Sequence, residues 1–206
     1  MNDFVYKVYG DIFSGNCYKV KLLLHQLQKP YQWIFVDILQ QESRTADFLQ
    51  KNPNGKIPVL EFAPEKYLFE SNAIMYFLSE ETNFLPNTRL ARSQVLQWLF
   101  FEQYSHEPYI ATSRYLIRYL QGAEKYKAIL KEKSKPGYAA LDVMEQHLSL
   151  NQFFVGNQYT IADIGLYAYT HIAEEGGFNL KAYPAIKSWF TRVESQPNYI
   201  TMSLLS

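Results

Sequence analysis

Almost all segments with the pattern of β-strands lie within residues 1–80. There, short runs rich in β-branched and aromatic residues alternate with runs whose apolar residues recur at helical spacing. The resulting order is β-α-β-α-β-β-α. Because a strand–helix–strand unit closes with a right-handed crossover, its two strands are parallel, and the final hairpin adds an antiparallel strand. The pattern therefore predicts a small α/β layer in the first part of the chain.

Recognisable signals separate the predicted elements of this layer. Gly10 ends the first strand, and Pro30 ends the first helix, because proline lacks an amide proton and disfavours helical geometry in the residue before it. The NPNG turn at 52–55 precedes the third strand. The predicted strands are residues 4–9, 31–36, 57–60 and 67–69, and the predicted helices are residues 15–27, 42–49 and the segment that starts at residue 71. This arrangement is thioredoxin-like.

The rest of the chain predicts helices. Residues 80–88 are polar and carry Pro86, so residues 81–88 are interpreted as a linker. The helices predicted beyond it are residues 89–120 with a kink at Pro108, 123–150 with a disturbance near Pro136, 160–173 and 184–193. The predicted fold class is therefore α/β plus all-α, with a thioredoxin-like domain at 1–80 and an all-helical domain at 89–206.

The start of the third of these helices carries a capping signal. Thr160 and Asp163 have the spacing of a capping box, in which each side chain accepts a hydrogen bond from the other residue's backbone amide. Tyr159 and Ile164 are spaced as a hydrophobic staple. Asp163 is thus interpreted as a folding device, although an acid at this place could be mistaken for a catalytic one.

Composition argues against several functions. The 20 basic and 20 acidic residues give a net charge of zero and a pI near 6.9, which favours neither nucleic acid nor an anionic membrane as a partner. The N-terminus lacks the apolar run of a signal peptide, and the apolar segment at 95–101 is far too short to span a bilayer. We therefore expect a cytoplasmic protein that binds neither partner.

Metal and nucleotide motifs are also missing from the sequence. One cysteine cannot form an intramolecular disulfide or a thiolate metal cluster. His25, His147 and His171 have no carboxylates at the fixed spacing of a metal site, and no glycine-rich phosphate loop occurs. The sequence therefore predicts no metal.

Several segments of the chain resemble one family. They are SGNCYKV at 14–20, NPNGKIPVL at 52–60, ESNAI at 70–74 and YTIAD at 159–163, with WLFFEQY at 98–104 as a further similarity. In this order they are similar to cytosolic glutathione S-transferases of a bacterial, serine-dependent type with a theta- or phi-like N-terminal motif. The resemblance covers essentially the whole chain and is consistent with the predicted fold class.

The resemblance places Ser14 where the family carries its catalytic serine or cysteine. A free thiol with a pKa of about 8.5 is mostly protonated at neutral pH, and its thiolate is the nucleophile. A hydroxyl at the start of the first helix can donate to that anion, which contributes about 1.5–3 kcal/mol and lowers its pKa by about one to two units. Asn16 is a further possible donor. The alternative is that Ser14 only caps the helix.

Cys17 is the rival candidate for sulfur chemistry. A lone cysteine is most often a buried, small apolar residue, and this is the favoured interpretation. A cysteine near a helix N-terminus can also be an activated thiol, as in family members that work by thiol exchange.

The family pattern also implies the residues that bind glutathione. Ile57 and Pro58 resemble its cis-proline junction, at which the Ile57 backbone would pair with the cysteinyl part of glutathione. An ordinary trans proline at the start of a strand is the alternative. Lys56 and Arg44 are the candidates for the glycyl carboxylate, although Arg44 could equally be a solvated surface charge.

The start of the helix at residue 71 is the candidate site for the γ-glutamyl end. The Ser71 hydroxyl and the first amides of that helix would bind the carboxylate, and Glu70 would pair with the adjacent ammonium. A simple helix cap is again the alternative. Phe13, His106 and Tyr109 are candidates for the apolar co-substrate pocket, and Glu102 is a candidate acid offered to the glutathione of a second subunit.

The expected activity is that of a glutathione transferase in detoxification. Its partners would be glutathione and a small hydrophobic electrophile, with glutathione as co-substrate and no other cofactor. The family and the 17% aromatic content suggest a homodimer. A glutathione-dependent disulfide reductase or peroxidase is one alternative, and a non-catalytic module that binds other proteins is another.

Overall fold

The computed structural model describes residues 4–204. The chain divides into two compact units, one formed by residues 1–80 and 197–206 and the other by residues 81–196. Each unit is built around its own buried apolar side chains.

The first unit has the element order that the sequence predicts. Its strands are β1 (Tyr6–Gly10), β2 (Tyr31–Phe35), β3 (Val59–Ala63) and β4 (Lys66–Phe69), and its helices are α1 (Gly15–Gln26), α2 (Ala46–Lys51) and α3 (Ser71–Ser79). A single turn of 3-10 helix, Glu42–Arg44, precedes α2.

The four strands form one sheet in the order β2-β1-β3-β4. β1 runs parallel to β2 and antiparallel to β3, which in turn is antiparallel to β4. Val59 is the register partner of both Tyr9 and Phe69. Consequently, the chain leaves β1, enters β3 and leaves β4 at the same edge of the sheet. The segments that follow Tyr9 and Phe69 and the segment that precedes Val59 therefore lie close together.

The second unit is helical. Its helices are α4 (Arg89–Phe101), α5 (Glu107–Arg114), α6 (Lys127–Leu148), α7 (Ile161–Thr170) and α8 (Pro184–Glu194). The thioredoxin-like α/β layer followed by helices confirms the predicted fold class.

The predicted kink at Pro108 takes the form of a widened turn. A π-helical turn, Glu102–His106, joins α4 to α5, and the Glu107 amide bonds to the Glu102 carbonyl across it. The proline ring has no amide proton and crowds the carbonyl one turn earlier, so a wider turn just before it relieves the clash.

The disturbance predicted near Pro136 is wrong, because α6 continues through that residue. The following Gly137 is buried, and a Cβ at that position would overlap the Phe178 ring. Tyr138, next along the helix, also packs against Phe178, with ring centroids 5.2 Å apart. Packing on this side of α6 therefore holds the helix together where local propensity would interrupt it.

The predicted domain boundary also needs correction at the C-terminus. The sequence analysis assigned the whole of 89–206 to the helical domain, whereas residues 197–206 belong to the first unit. The Tyr18 hydroxyl donates to the Ile200 carbonyl at 2.7 Å, and the Lys21 ammonium donates to the Leu204 carbonyl. These two buried donors of α1 find their acceptors in the tail, which fixes the tail there.

Within the described part of the chain, no helix combines the length and the apolarity needed to cross a membrane. The cytoplasmic location stays a prediction. Among residues 4–204, no group of three or more metal-ligating side chains occurs.

The capping box of α7 is confirmed. Asp163 accepts from the Thr160 amide at 2.9 Å and, outside the helix, from the Phe154 amide at 3.1 Å and the Trp189 indole at 3.0 Å. All four residues are buried. Asp163 therefore joins α7 to α8 and to the loop before α7, as well as capping its own helix.

We expect Asp163→Ala to lower the free energy of unfolding by at least about 3 kcal/mol, because it orphans three buried donors at about 1–3 kcal/mol each. Urea denaturation followed by circular dichroism measures this loss. Glu132→Ala, at an exposed position of α6, is the control and should change stability by less than about 0.5 kcal/mol. Equal stability of the two variants would contradict the role assigned to Asp163.

Candidate functional site

Ser14 caps α1 in the structure. Its backbone is extended, with φ −80° and ψ 123°, and its Oγ accepts a hydrogen bond from the Cys17 amide at 3.4 Å. The side chain is half-buried at the edge of the sheet where β1 ends. The capping role considered for Ser14 is thus confirmed, and the hydroxyl lies at the positive end of the α1 dipole.

Cys17 is fully buried. A Cβ on Gly10 would lie 2.7 Å from its Sγ, so the absence of a side chain at Gly10 makes room for the thiol. Burial raises the pKa of the thiol to about 12, although the neighbouring Ser14 side chain and Asp11 backbone lower it. Cys17 is therefore a protonated, inaccessible thiol at neutral pH, in agreement with the favoured interpretation.

The Ile57-Pro58 peptide bond is cis. Pro58 is buried and directly precedes Val59, the residue that pairs with both Tyr9 and Phe69. The cis geometry that the sequence only suggested is confirmed, and the junction lies at the same sheet edge as Ser14.

Glu70 and Ser71 form the beginning of α3 at that edge. Glu70 is exposed and has φ 68° and ψ 112°, a backbone conformation that costs a residue with a side chain about 1–3 kcal/mol. Ser71 is 5% exposed, and its Oγ donates to Asn16 Oδ1 at 3.1 Å. The structure thus joins the first turns of α1 and α3 through two of the predicted site residues.

Lys19 is a residue that the sequence analysis missed. It has no exposed surface, and its ammonium donates to Ser71 Oγ at 3.4 Å and to Asn72 Oδ1 at 3.5 Å. A signal for it was available in the sequence. Lys19 precedes Leu22 and Leu23 by three and four residues, which places a charged side chain on the apolar face of a helix.

Arg44 and Lys56 are both exposed. Arg44 Nη1 donates to the Asn54 carbonyl at 3.0 Å, and its guanidinium packs closely on Gly55, whose φ is 62°. The Lys56 carbonyl is held by the Asn52 side-chain amide at 2.7 Å. The structure therefore brings Arg44 to the loop that carries Lys56, so that Arg44 is more than an isolated surface charge.

Two predicted site residues are buried where accessibility was expected. His106 has no exposed surface, and its Nε2 is 2.9 Å from Thr170 Oγ1 inside the helical unit. Glu102 is likewise fully buried, and its Oε2 accepts from Gln103 Nε2 at 2.9 Å. Neither side chain therefore has the accessible surface that a co-substrate pocket or an acid offered to a second subunit requires, although Tyr104 in the same turn is 84% exposed.

The other two co-substrate candidates have some exposed surface. Phe13, in the first unit, is 57% exposed. Tyr109, in the second, is half-buried, with the Lys133 ammonium 5.7 Å from its ring centroid. A surface cavity of about 640 Å³ in the first unit contains none of the predicted site residues. It lies near His25, Tyr31 and Tyr199, at the sheet edge opposite to Ser14.

Comparison with known proteins gives the family. The family model described as "Glutathione S-transferase, N-terminal domain" matches residues 4–80, and the one described as "Glutathione S-transferase, C-terminal domain" matches residues 97–197. The chain belongs to the glutathione S-transferase family. The resemblance inferred from its motifs is thereby confirmed, since the two domain models follow each other in the predicted order.

A similar solved structure is that of glutathione S-transferase from Pseudomonas fluorescens Pf-5, which is 54% identical with a TM-score of 0.96 over 98% of this chain and all of the other. Glutathione S-transferase 3 of Zea mays is 30% identical over 94% of this chain and 90% of its own. Disulfide-bond oxidoreductase YfcG of Escherichia coli is 28% identical over 89% and 88%. Protein URE2 of Candida albicans is 27% identical, and the match covers 89% of this chain but only 65% of URE2.

We expect the Cys17 thiol of the folded protein to resist Ellman's reagent at pH 8, because a pKa of about 12 leaves only about one thiol in ten thousand ionised and burial excludes the reagent. The release of the coloured thiolate measures the reaction. The same protein in urea is the control and should release one equivalent. Stoichiometric release by the folded protein at a comparable rate would refute the assignment of Cys17 as inert.

Proposed function

We propose that this protein is a glutathione transferase that activates bound glutathione as its thiolate for attack on an apolar electrophile. The observation that carries the proposal is the meeting of three features at one edge of the sheet. These are the Ser14 cap of α1, the cis Ile57-Pro58 junction and the Ser71 start of α3. Membership of the glutathione S-transferase family supports the same function.

Capping and catalysis by Ser14 are compatible. The bond from the Cys17 amide uses a lone pair of Oγ, whereas the hydroxyl hydrogen is a separate donor that can turn toward a sulfur anion. A charge-assisted bond of this kind favours the thiolate by about 1.5–3 kcal/mol, and the α1 dipole acts in the same direction. Ser14 is therefore the residue proposed to lower the thiol pKa, with the Asn16 amide as a second donor.

The remaining site residues would hold the rest of the tripeptide. The Ile57 backbone, just before β3, would pair with the cysteinyl part as an added strand does. The first amides of α3 and Glu70 would bind the γ-glutamyl carboxylate and ammonium. Lys56 and Arg44, whose guanidinium contacts the loop just before Lys56, would bind the glycyl carboxylate.

The proposed reaction needs no group beyond the two substrates. The thiol proton leaves to solvent on binding, and the thiolate electron pair forms a carbon–sulfur bond. The leaving group departs with the electron pair of the bond that breaks. The nucleophile belongs to glutathione, so no covalent enzyme intermediate forms, and an apolar pocket on the co-substrate side would exclude water from the reaction.

Disulfide reduction is the second candidate, and the relative named as a disulfide-bond oxidoreductase favours it. In that reaction the same thiolate would attack one sulfur of a disulfide, forming a mixed disulfide and releasing the other sulfur as a thiolate, and a second glutathione would then release the first sulfur and leave as glutathione disulfide. The burial of Cys17 implies that the sulfurs involved would be those of glutathione and the substrate. Turnover with a small disulfide compared with an aromatic halide separates the two candidates, and Cys17→Ser should retain either activity.

A homodimer is also part of the proposal. Leu90, Phe100 and Tyr104 are 70%, 68% and 84% exposed, and the first two belong to α4 while Tyr104 lies in the turn after it. Their spacing places them on one side of the helical run. Large apolar side chains exposed on one side of a helical run support contact with a second copy of the chain.

We expect reduced glutathione to bind with release of protons at neutral pH, because the site is proposed to favour the thiolate. Calorimetric titration in two buffers of different ionisation enthalpy measures the number of protons released. Binding without proton release would contradict thiol activation. An absence of binding would favour the alternative of a non-catalytic module that binds other proteins.

Replacing Ser14 by Ala should lower kcat/KM by about 10- to 150-fold, the equivalent of about 1.5–3 kcal/mol. The pKa of the bound thiol should rise by about one to two units, and the ultraviolet absorbance of the thiolate measures it. Thr88→Ala is a matched control, since Thr88 caps α4 by a 3.3 Å bond from the Ala91 amide. It should cost similar stability but leave turnover unchanged. Full turnover by Ser14→Ala would refute the proposal.

A further inference from the structure

Helix α1 contains two buried lysines that face different surroundings. Lys19 and Lys21 are 0% and 1% exposed. Lys21 donates to the Leu204 carbonyl in the C-terminal tail, a purely structural partner. Lys19 instead donates to the side-chain oxygens of Ser71 and Asn72, the first two residues of α3. Burying an ammonium lowers stability unless its N–H groups donate hydrogen bonds. The bonds from Lys19 to Ser71 and Asn72 are therefore favoured in the folded protein, and they restrain both acceptor side chains.

The chemistry of these groups fixes the direction of each hydrogen bond. A lysine ammonium can only donate, so Ser71 Oγ is the acceptor of the bond from Lys19. Ser71 has one hydroxyl hydrogen, and it donates this hydrogen to Asn16 Oδ1 at 3.1 Å. The three residues thus form a directed chain from Lys19 through Ser71 to Asn16, which we call the Lys19 relay.

The Lys19 relay meets the Asn16 amide at its oxygen. Because Oδ1 is the atom turned toward Ser71, the donor atom Nδ2 lies on the other side of the same planar group. Asn16 lies two residues after Ser14, in the first turn of α1. The relay therefore orients an N–H donor in the turn whose hydroxyl is proposed to meet the glutathione sulfur.

We propose that Lys19 is a positioning residue, which through Ser71 holds the Asn16 amide with its Nδ2 toward the sulfur of bound glutathione. This inference rests on the proposed function, because it concerns the same thiolate. It changes the role of Ser71, whose hydrogen supports the sulfur end of the site while the backbone amides of α3 remain as the donors for the γ-glutamyl carboxylate.

The test measures the pKa of the glutathione thiol when bound to Lys19→Met, by the ultraviolet absorbance of the thiolate as a function of pH. We expect the pKa to rise by about half a unit to one unit, since one donor to the anion is misdirected. Ser71→Ala, which removes the middle of the relay with little change of volume, should produce the same rise. An unchanged thiol pKa in both folded variants would overturn the proposal.

Lys21→Met is the matched control, because it removes the other buried lysine of the same helix. It should lower the melting temperature and leave the pKa of the bound thiol unchanged. If Lys21→Met raised the thiol pKa as much as Lys19→Met, the effect would reflect a loosened helix, and the proposal would fail.

A double-mutant cycle separates orientation from charge. In an Asn16→Ala background, Lys19→Met should shift the thiol pKa no further, because the group that Lys19 orients is gone. A full additional shift would mean that Lys19 acts by its charge alone and would overturn the relay. Should Lys19→Met fail to fold, Ser71→Ala in the same background gives the same comparison.

The wild-type protein distinguishes this inference from the proposed function. A depressed thiol pKa in wild type together with an unaffected Lys19→Met refutes the relay alone. An undepressed thiol pKa in wild type refutes the proposed function, and the relay with it.

Discussion

The register between β1, β3 and β4 is the constraint on which the candidate site depends. Val59 pairs with Tyr9 on one side and with Phe69 on the other, so three chain segments far apart in sequence end at one edge of the sheet. A shift of one residue would turn the side chains of β3 to the opposite faces. It would also carry the cis junction at Pro58 away from Ser14. The hydrogen bonds of the central strands thus hold the site together before any of its polar side chains contributes.

Electrostatics then give this edge its preference for an anion. The first turns of α1 and α3 carry the partial positive charge of helix N-termini, and Asn16 and Ser71 connect them. Lys19 adds a buried ammonium beneath this connection. The proposed binding of a tripeptide with two carboxylates and an ionised thiol would use this positive potential. The nearby Cys17 remains protonated because its burial removes the thiol from water.

Three polar side chains of the helical unit, those of Asp163, Glu102 and His106, are buried. Asp163 satisfies donors from three chain segments, and the capping box alone accounts for only part of its hydrogen bonds. Glu102 and His106, in the π-helical turn after α4, are buried, although their positions in sequence suggested functional exposure. Sequence position alone thus allows a functional or a structural role for a polar residue in such a turn. Burial in the folded structure distinguishes the two roles.

Local sequence determined the order of the elements, the helix starts at Ser14 and Thr160 and the interruption before Pro108, because capping, periodicity and proline geometry act over a few residues. The tertiary structure decided which distant groups meet. Examples are the contact between Asn16 and Ser71, which are 55 residues apart, and the return of residues 197–204 to the first unit. It also decided that α6 continues through Pro136. These outcomes depend on strand register and on the packing of buried surfaces, which a pattern of neighbouring residues does not encode.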